Sequence, residues 1–257
     1  MKTRSIAPLL TGGGMVLLVT LACSMSIAPP LQPKPTETPL PSPTPVPSNT
    51  PTPLPSNTPT PVPPPPDFFT EQFSEENGLW TWWVIGPNAD QYEDTVTVSW
   101  DSDVLRVEIP QTQLYVYFFY EPYTYTDVRL TMEATNRGAN TNNVSLVCRY
   151  DAENRNWYEF SVGSGGDWYL FAHTDDGYHL LNSGGARTLK MGHATNQYGM
   201  DCIGNKISLF VNGQELIGSP FTDKRYGFAE GQVGLNISSL DILNVAVDVE
   251  WLDIAQP

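Results

Sequence analysis

Between Asn143 and Leu170 the sequence breaks into three short apolar runs, Asn-Val-Ser-Leu-Val-Cys-Arg-Tyr, Trp-Tyr-Glu-Phe-Ser-Val and Asp-Trp-Tyr-Leu, separated by Asp-Ala-Glu-Asn-Arg-Asn and Gly-Ser-Gly-Gly. The runs are rich in the β-branched and aromatic residues that suit a pleated, half-buried surface, and the breaks carry the Asp, Asn and Gly of tight turns. Such a stretch predicts three antiparallel strands in the middle of a meander. Because side chains alternate along a strand, Leu146, Cys148 and Tyr150 are expected on one face and Ser145, Val147 and Arg149 on the other.

The same reading extends to the rest of the chain from residue 67. Phe68, Phe69 and Phe73 open it as core anchors, and Asp101-Ser102 separates two strand-like runs as a tight hairpin. Gln113–Tyr120 sets Tyr115, Tyr117 and Phe119 against Val116, Phe118 and Tyr120, which predicts a strand buried on one side and presenting rings on the other. Val128–Ala134 alternates apolar with polar residues, and Lys206–Val211 ends in Asn212-Gly213, a strong hairpin signal because both residues accept positive φ. Gln232–Ile237 and Asn244–Ile254 complete the set. No segment shows helical periodicity. Ten or more strands without a helix predict an all-β fold, a two-sheet antiparallel sandwich.

Upstream of residue 67 no core is possible. Met1 to Ala22 carries Lys2, Arg4 and a short apolar run, the layout of a secretory signal peptide, so the protein is expected to be exported. Thr20-Leu21-Ala22-Cys23 resembles a bacterial lipobox, which would lipidate Cys23 and anchor the chain to the membrane facing outside; the Leu usual three residues before the Cys is replaced by Thr20. Cleavage after Ser26-Ile27-Ala28 would instead release a secreted protein. Residues 23–66 form a Pro/Thr/Ser-rich linker: 18 of the 24 prolines lie between Pro29 and Pro66. This composition favours extended polyproline II and predicts a disordered, semi-rigid spacer.

Residues 67–257 hold 27 of the 28 acids and 10 of the 13 basic residues, a formal charge of -17 (10 minus 27). So acidic a surface repels polyanions, which excludes nucleic acid as a partner. A monomer is expected.

Cys148-Arg-Tyr150, Trp157-Tyr-Glu-Phe160, Gly166-Asp-Trp-Tyr169, Cys202–Gly213, Phe228–Leu235 and Val247–Ile254 together resemble the concanavalin A-like lectin/glucanase jelly roll, nearest its laminin-G-like branch, which includes 3-keto-disaccharide hydrolase domains. The likeness covers the whole of 67–257. It implies the sandwich and leaves function open, because this fold hosts lectins, glycosidases and adhesion modules.

A glucanase of this fold is expected to carry a Glu-x-Asp-x-x-Glu strand, and no such run is present. Asp248 and Glu250 form the closest pair, with Asp253 expected on the opposite face, and a solvated face explains them. No Gly-x-Ser-x-Gly elbow occurs, and His173, His179 and His193 are read as loop residues without metal spacing. No catalytic residue is assigned. Setting Cys23 aside, Cys148 and Cys202 are the remaining thiols of an exported chain, which suits a disulfide; two buried free thiols are the other reading. Asp151, Glu153, Asn154 and Asn156 in one loop, and Asp175-Asp176-Gly177 in another, offer the oxygen ligands of Ca²⁺, although turn chemistry explains them without a metal. Otherwise no cofactor is expected.

The remaining reading is a binding surface. On the alternation above, Tyr115, Tyr117, Arg149, Trp157 and Glu159 are expected on one outward, concave sheet face, with Trp82 or Trp168 flanking it. Flat rings with a few planar polar groups suit a glycan or cell-envelope polymer. A cell-surface carbohydrate-binding or adhesion domain is therefore expected, the alternatives being a glycoside-processing enzyme resembling 3-keto-disaccharide hydrolases and a structural envelope module.

Overall fold

The structure, a computed structural model, describes residues 64–139 and 142–257; the expected signal peptide, the lipidation site Cys23 and nearly all of the linker lie outside them. In chain order the elements are β1 (Phe69–Glu71), β2 (Trp80–Ile85), a single helical turn α1 (Ala89–Tyr92), β3 (Thr97–Trp100), β4 (Leu105–Ile109), β5 (Tyr115–Tyr120), β6 (Val128–Asn136), β7 (Asn142–Asp151) and β8 (Asn156–Gly163). There follow β9 (Asp167–Thr174), β10 (Gly177–Gly185), β11 (Thr195–Ile203), β12 (Lys206–Val211), β13 (Gln214–Glu215), β14 (Phe221–Thr222), β15 (Gln232–Ser239) and β16 (Val245–Ala255).

They form two antiparallel sheets. One has seven strands in the order β10-β9-β8-β7-β15-β5-β2. The other has nine, in the order β13-β12-β11-β6-β16-β4-β3, with β1 added along β16 and β14 along β12. The expected meander is β7-β8-β9, paired in register from Asn143 opposite Gly163 to Val162 opposite Trp168. Val116, Phe118 and Tyr120 of β5 face Leu130 and Met132 of β6 and their neighbours in one core. Trp168, at the flank of the expected face, is wholly buried in that core. The two sheets are also joined covalently: Cys148 of β7 is bonded to Cys202 of β11.

Turn chemistry follows the sequence with one shift. Asn212 and Gly213 take φ of 51° and 74° between paired Val211 and Gln214, the mirror-image turn that matches strand twist. In the first hairpin the positive-φ residues are Ser102 and Asp103, not Asp101 and Ser102, and Asp101 and Val104 exchange backbone hydrogen bonds across them.

The last prolines before residue 67 belong to the folded body. The Tyr123 hydroxyl donates to the Pro65 carbonyl at 2.8 Å, Tyr120 donates to Pro66, and Tyr125 donates to the Asp67 carbonyl at 2.6 Å.

Two bulges alter which residues share a face. Between Val249 and Trp251 the register of β16 slips by one, so Asp248 lies opposite Thr135 and Asp253 opposite Thr131, on the same side of β6. Asp253 is therefore on the Asp248 face, contrary to simple alternation. Nor is Asp248 solvated: it is buried and accepts from Arg106 at 2.8 Å and from Arg137 at 3.0 Å, which hold its carboxyl below the usual value. Arg106 and Arg137 both account for this acid, and no catalytic partner is needed to explain it.

Candidate functional site: the outer face of the seven-stranded sheet

The second bulge decides the site. Arg149 has φ of 58°, and pairing of β7 with β8 slips between Cys148 and Asp151. Cys148 stays in the core, but Tyr150 moves to the outer face, where its ring lies 3.9 Å from Phe119 and 5.6 Å from Trp157. Arg149 is turned the other way. It is 3% exposed, donates through Nε and Nη2 to the Thr126 carbonyl and through Nη1 to the Phe228 carbonyl at 2.7 Å, and thus ties loops together at one end of the sandwich. Arg149 is not on the expected binding face. Strict alternation fails there because one residue in the left-handed region rotates everything after it.

The other four expected residues do converge. Outward positions run Trp83–Tyr117–Asn236–Ser145–Ser161–Tyr169 across one row and Phe119–Gly234–Val147–Glu159–Phe171–Leu180 across the next. A second apolar cluster of Tyr117, Phe119, Val147 and Trp157 forms there, separate from the main core and flanked by Trp83, Ile85, Tyr115 and Tyr150. Trp157 is 5% exposed, stacked on His173 with ring centres 3.7 Å apart. Tyr117 is fully buried. These two are the floor of the face, not its surface.

Glu159 is held on that floor, 4% exposed. Its Oε2 accepts from the Tyr117 hydroxyl at 2.7 Å and from Trp157 Nε1–H at 3.2 Å. Burial pushes its carboxyl pKa up, and the hydrogen bonds from Tyr117, Trp157 and Ser145 offset this only in part. A carboxyl whose pKa is higher folded than unfolded binds more protons in the folded state. Its contribution is present below the unfolded value and is lost as pH rises through the raised value. Wild type should therefore lose stability relative to Glu159→Gln as pH is raised upward from the ordinary carboxylate range, and the variant should melt at least as high at pH 7. Paired melting curves from pH 4 to 8 check this, and a gap that does not move with pH would refute it.

The accessible layer comes from β9 and β10. Tyr178, 41% exposed, is hydrogen-bonded to the Tyr117 hydroxyl, and its ring contacts Tyr115, Phe171 and His173 at centre distances of 6.4, 5.6 and 4.6 Å. Tyr169 and Phe171 are stacked 5.8 Å apart, and Leu180 is 57% exposed beside them. Between these rings a pit of about 190 Å³ is lined by Tyr115, Asn143, Glu159, Ser161, Phe171, Tyr178, Ser238 and Leu240. Of the expected residues, Tyr115 and Glu159 line the pit and Tyr117 and Trp157 support it; Trp82 contacts Phe118, a core residue. Tyr169, Phe171 and Tyr178 were missed, although the alternation of Tyr169, Phe171 and His173 against Trp168, Leu170 and Ala172 is visible in the sequence.

The histidines are corrected likewise: His173 lies in β9 and His179 in β10, where Nε2 of His179 is 2.8 Å from the Thr174 hydroxyl. Asp175-Asp176 is the two-residue turn between Thr174 and its partner Gly177. Asp151 caps its own loop, accepting from the backbone N–H of Glu153 and Asn154 and from Asn154 Nδ2. Among the described residues no group of three or more His, Cys, Asp or Glu is placed to hold a metal ion.

Two antiparallel sheets with crossing connections and a ring-lined outer face define a concanavalin A-like jelly roll. Solved structures bear out the class. A Bacillus subtilis protein of unknown function with a galectin-like fold superposes with a TM-score of 0.54 at 13% identity, covering 73% of this chain and 94% of its own. Carbohydrate-binding module CBM66 from Bacillus subtilis gives 0.50 at 15% identity over 67% and 94% of the two chains. Bacillus licheniformis β-glucanase gives 0.53 at 15% identity over 75% and 99%. No protein-family model matches the sequence, and no curated protein matches it.

Proposed function

We propose that this domain is a non-catalytic glycan-binding module, exported and displayed outside the cell by a lipid on Cys23 and the Pro/Thr-rich segment 23–66. The observation that carries the binding role is the ring-walled pit of Tyr115, Phe171 and Tyr178 above the buried Glu159. Rings of this kind cover the C–H faces of a sugar, and the carboxyl, amide and hydroxyl groups beneath them accept and donate to its hydroxyls.

Catalysis by a carboxylate pair finds little support on this face. Retaining glycosidases place two carboxyl groups ~5–5.5 Å apart and inverting ones ~6.5–9.5 Å apart. Glu159 lies opposite Phe171, and the other acid on an outward strand position, Asp167, is four residues further along β9, about 13 Å from Phe171 at strand rise; Asp241, in the loop after β15, is near Tyr115 but engaged by Gln113.

Binding of the 257-residue chain to an array of plant, algal and microbial envelope glycans tests the proposal. Tyr178→Ala is expected to weaken retention about tenfold or more, since an exposed ring at the centre of a contact carries much of its energy. Its melting temperature should change little, because the residue is a partly exposed cap. Absence of binding across the array, or undiminished binding by the variant, would overturn the proposal.

A further inference from the structure

The seven strands that build the face contain no lysine and one arginine, Arg149, and the bulge turns that arginine away from the face. Arg106, Arg129 and Lys206 lie on strands of the nine-stranded sheet, the first two already paired with Asp248 and Asp201. Arg155, in the turn between β7 and β8, meets His173 Nδ1 through its backbone carbonyl at 3.4 Å, and its guanidinium is near Asp175 at 4.0 Å. The polar atoms offered by the pit are the Glu159 carboxyl, the Asn143 amide and the hydroxyls of Ser161, Ser238, Tyr115 and Tyr178. Asp241, bonded to Gln113 at 3.2 Å, adds a negative charge near Tyr115.

We infer that the pit is selective for an uncharged sugar residue, seated between Tyr115, Phe171 and Tyr178 with a hydroxyl donating to Glu159, and that uronate and sulfated sugars are rejected. This rests on the glycan-binding reading and adds its ligand class. A carboxylate or sulfate entering the pit would give up its water for a site that supplies no cation and already holds an acid, and an unpaired buried anion is strongly disfavoured. A hydroxyl gives up far less and finds an acceptor. At about 190 Å³ the pit is smaller than the ~300–1,000 Å³ sites that enclose drug-sized ligands, so it takes one ring and leaves the rest of the chain along the neighbouring apolar surface of Tyr169 and Leu180. Nor does His173 supply a charge, because burial pushes its pKa down and keeps the imidazole neutral near pH 7.

The test is titration calorimetry of the 257-residue chain with two probe sets of matched length: neutral oligosaccharides of glucose, galactose, mannose and xylose, and anionic ones, oligogalacturonate, oligoalginate and a sulfated galactan. At least one neutral probe is expected to bind at least about tenfold more tightly than every anionic probe. Glu159→Gln, which keeps the shape, is expected to weaken the neutral probe by several-fold. Asn143→Lys places a cation on the pit wall and should raise affinity for the anionic probes at least about tenfold while leaving the melting temperature within a few degrees. Tighter binding of an anionic probe by wild type, or an Asn143→Lys variant that gains none, would overturn the charge selectivity while leaving the glycan-binding reading standing. Absence of binding to both sets would overturn the two together.

Discussion

Trp157→Ala is expected to lower the stability of the folded domain by ~3–5 kcal/mol, the loss usual when a large buried ring is truncated. For a domain of this length that amounts to a fall in melting temperature of roughly 2–4 °C per kcal/mol. The ring is 5% exposed, and it touches His173, Tyr117 and Tyr150 with ring centres 3.7, 5.5 and 5.6 Å away. Its removal also takes away the Nε1–H donated to Glu159. From alternation alone one would take an outward tryptophan to be dispensable for folding and a core tryptophan to be indispensable. Trp157 is outward and indispensable at once, because His173 stacks over it and Tyr117, Phe119 and Tyr150 pack against its edges. A large drop therefore leaves the proposed glycan-binding role standing, because that proposal puts ligand contact on Tyr178, in the accessible layer. Thermal melting of Trp157→Ala beside Tyr178→Ala checks this, and a Trp157→Ala protein that melts within a degree or two of wild type would show that the second cluster is not a packed floor.

How much of this was legible depended on whether information was local. The strands of the meander, the Asn212-Gly213 turn and the inward row Val116, Phe118 and Tyr120 follow from residue type and a period of two, and the structure has them. The facing of Arg149, Tyr150 and Asp253 was not legible, because each lies beyond a bulge, and a bulge is a backbone event at one residue with no fixed signature in composition. Arg149 is the instructive case. An arginine between two residues expected to face inward reads as an outward ligand group, yet here its φ of 58° sends it to the Thr126 and Phe228 carbonyls, where it satisfies acceptors at the end of the sandwich. Tyr178 was missed for another reason. Its strand, Gly177–Gly185, holds three glycines and shows no clean alternation, so only its pairing with β9 reveals that the ring folds over Tyr117.

Loss of the Cys148–Cys202 bond is expected to have an effect of similar size by a different route. The two residues are 54 apart in sequence, and closing a loop of that length removes unfolded-state entropy amounting to ~4 kcal/mol in the chain-entropy model. Both cysteines are fully buried, one in each sheet, so replacing them by alanine leaves little unfilled volume and the cost falls mainly on the unfolded ensemble. The Cys148→Ala/Cys202→Ala protein should accordingly fold to the same sandwich, retain whatever glycan affinity the parent has, and unfold more readily by ~4 kcal/mol. Reductant should leave wild type unchanged at room temperature, because the bond is out of reach until the sheets part, and should bring its melting temperature to that of the double variant once heating exposes it. Denaturant unfolding of the two proteins with and without reductant measures all of this. Two alkylatable thiols in the unreduced protein, or equal stabilities, would show that the sheets are held by packing alone.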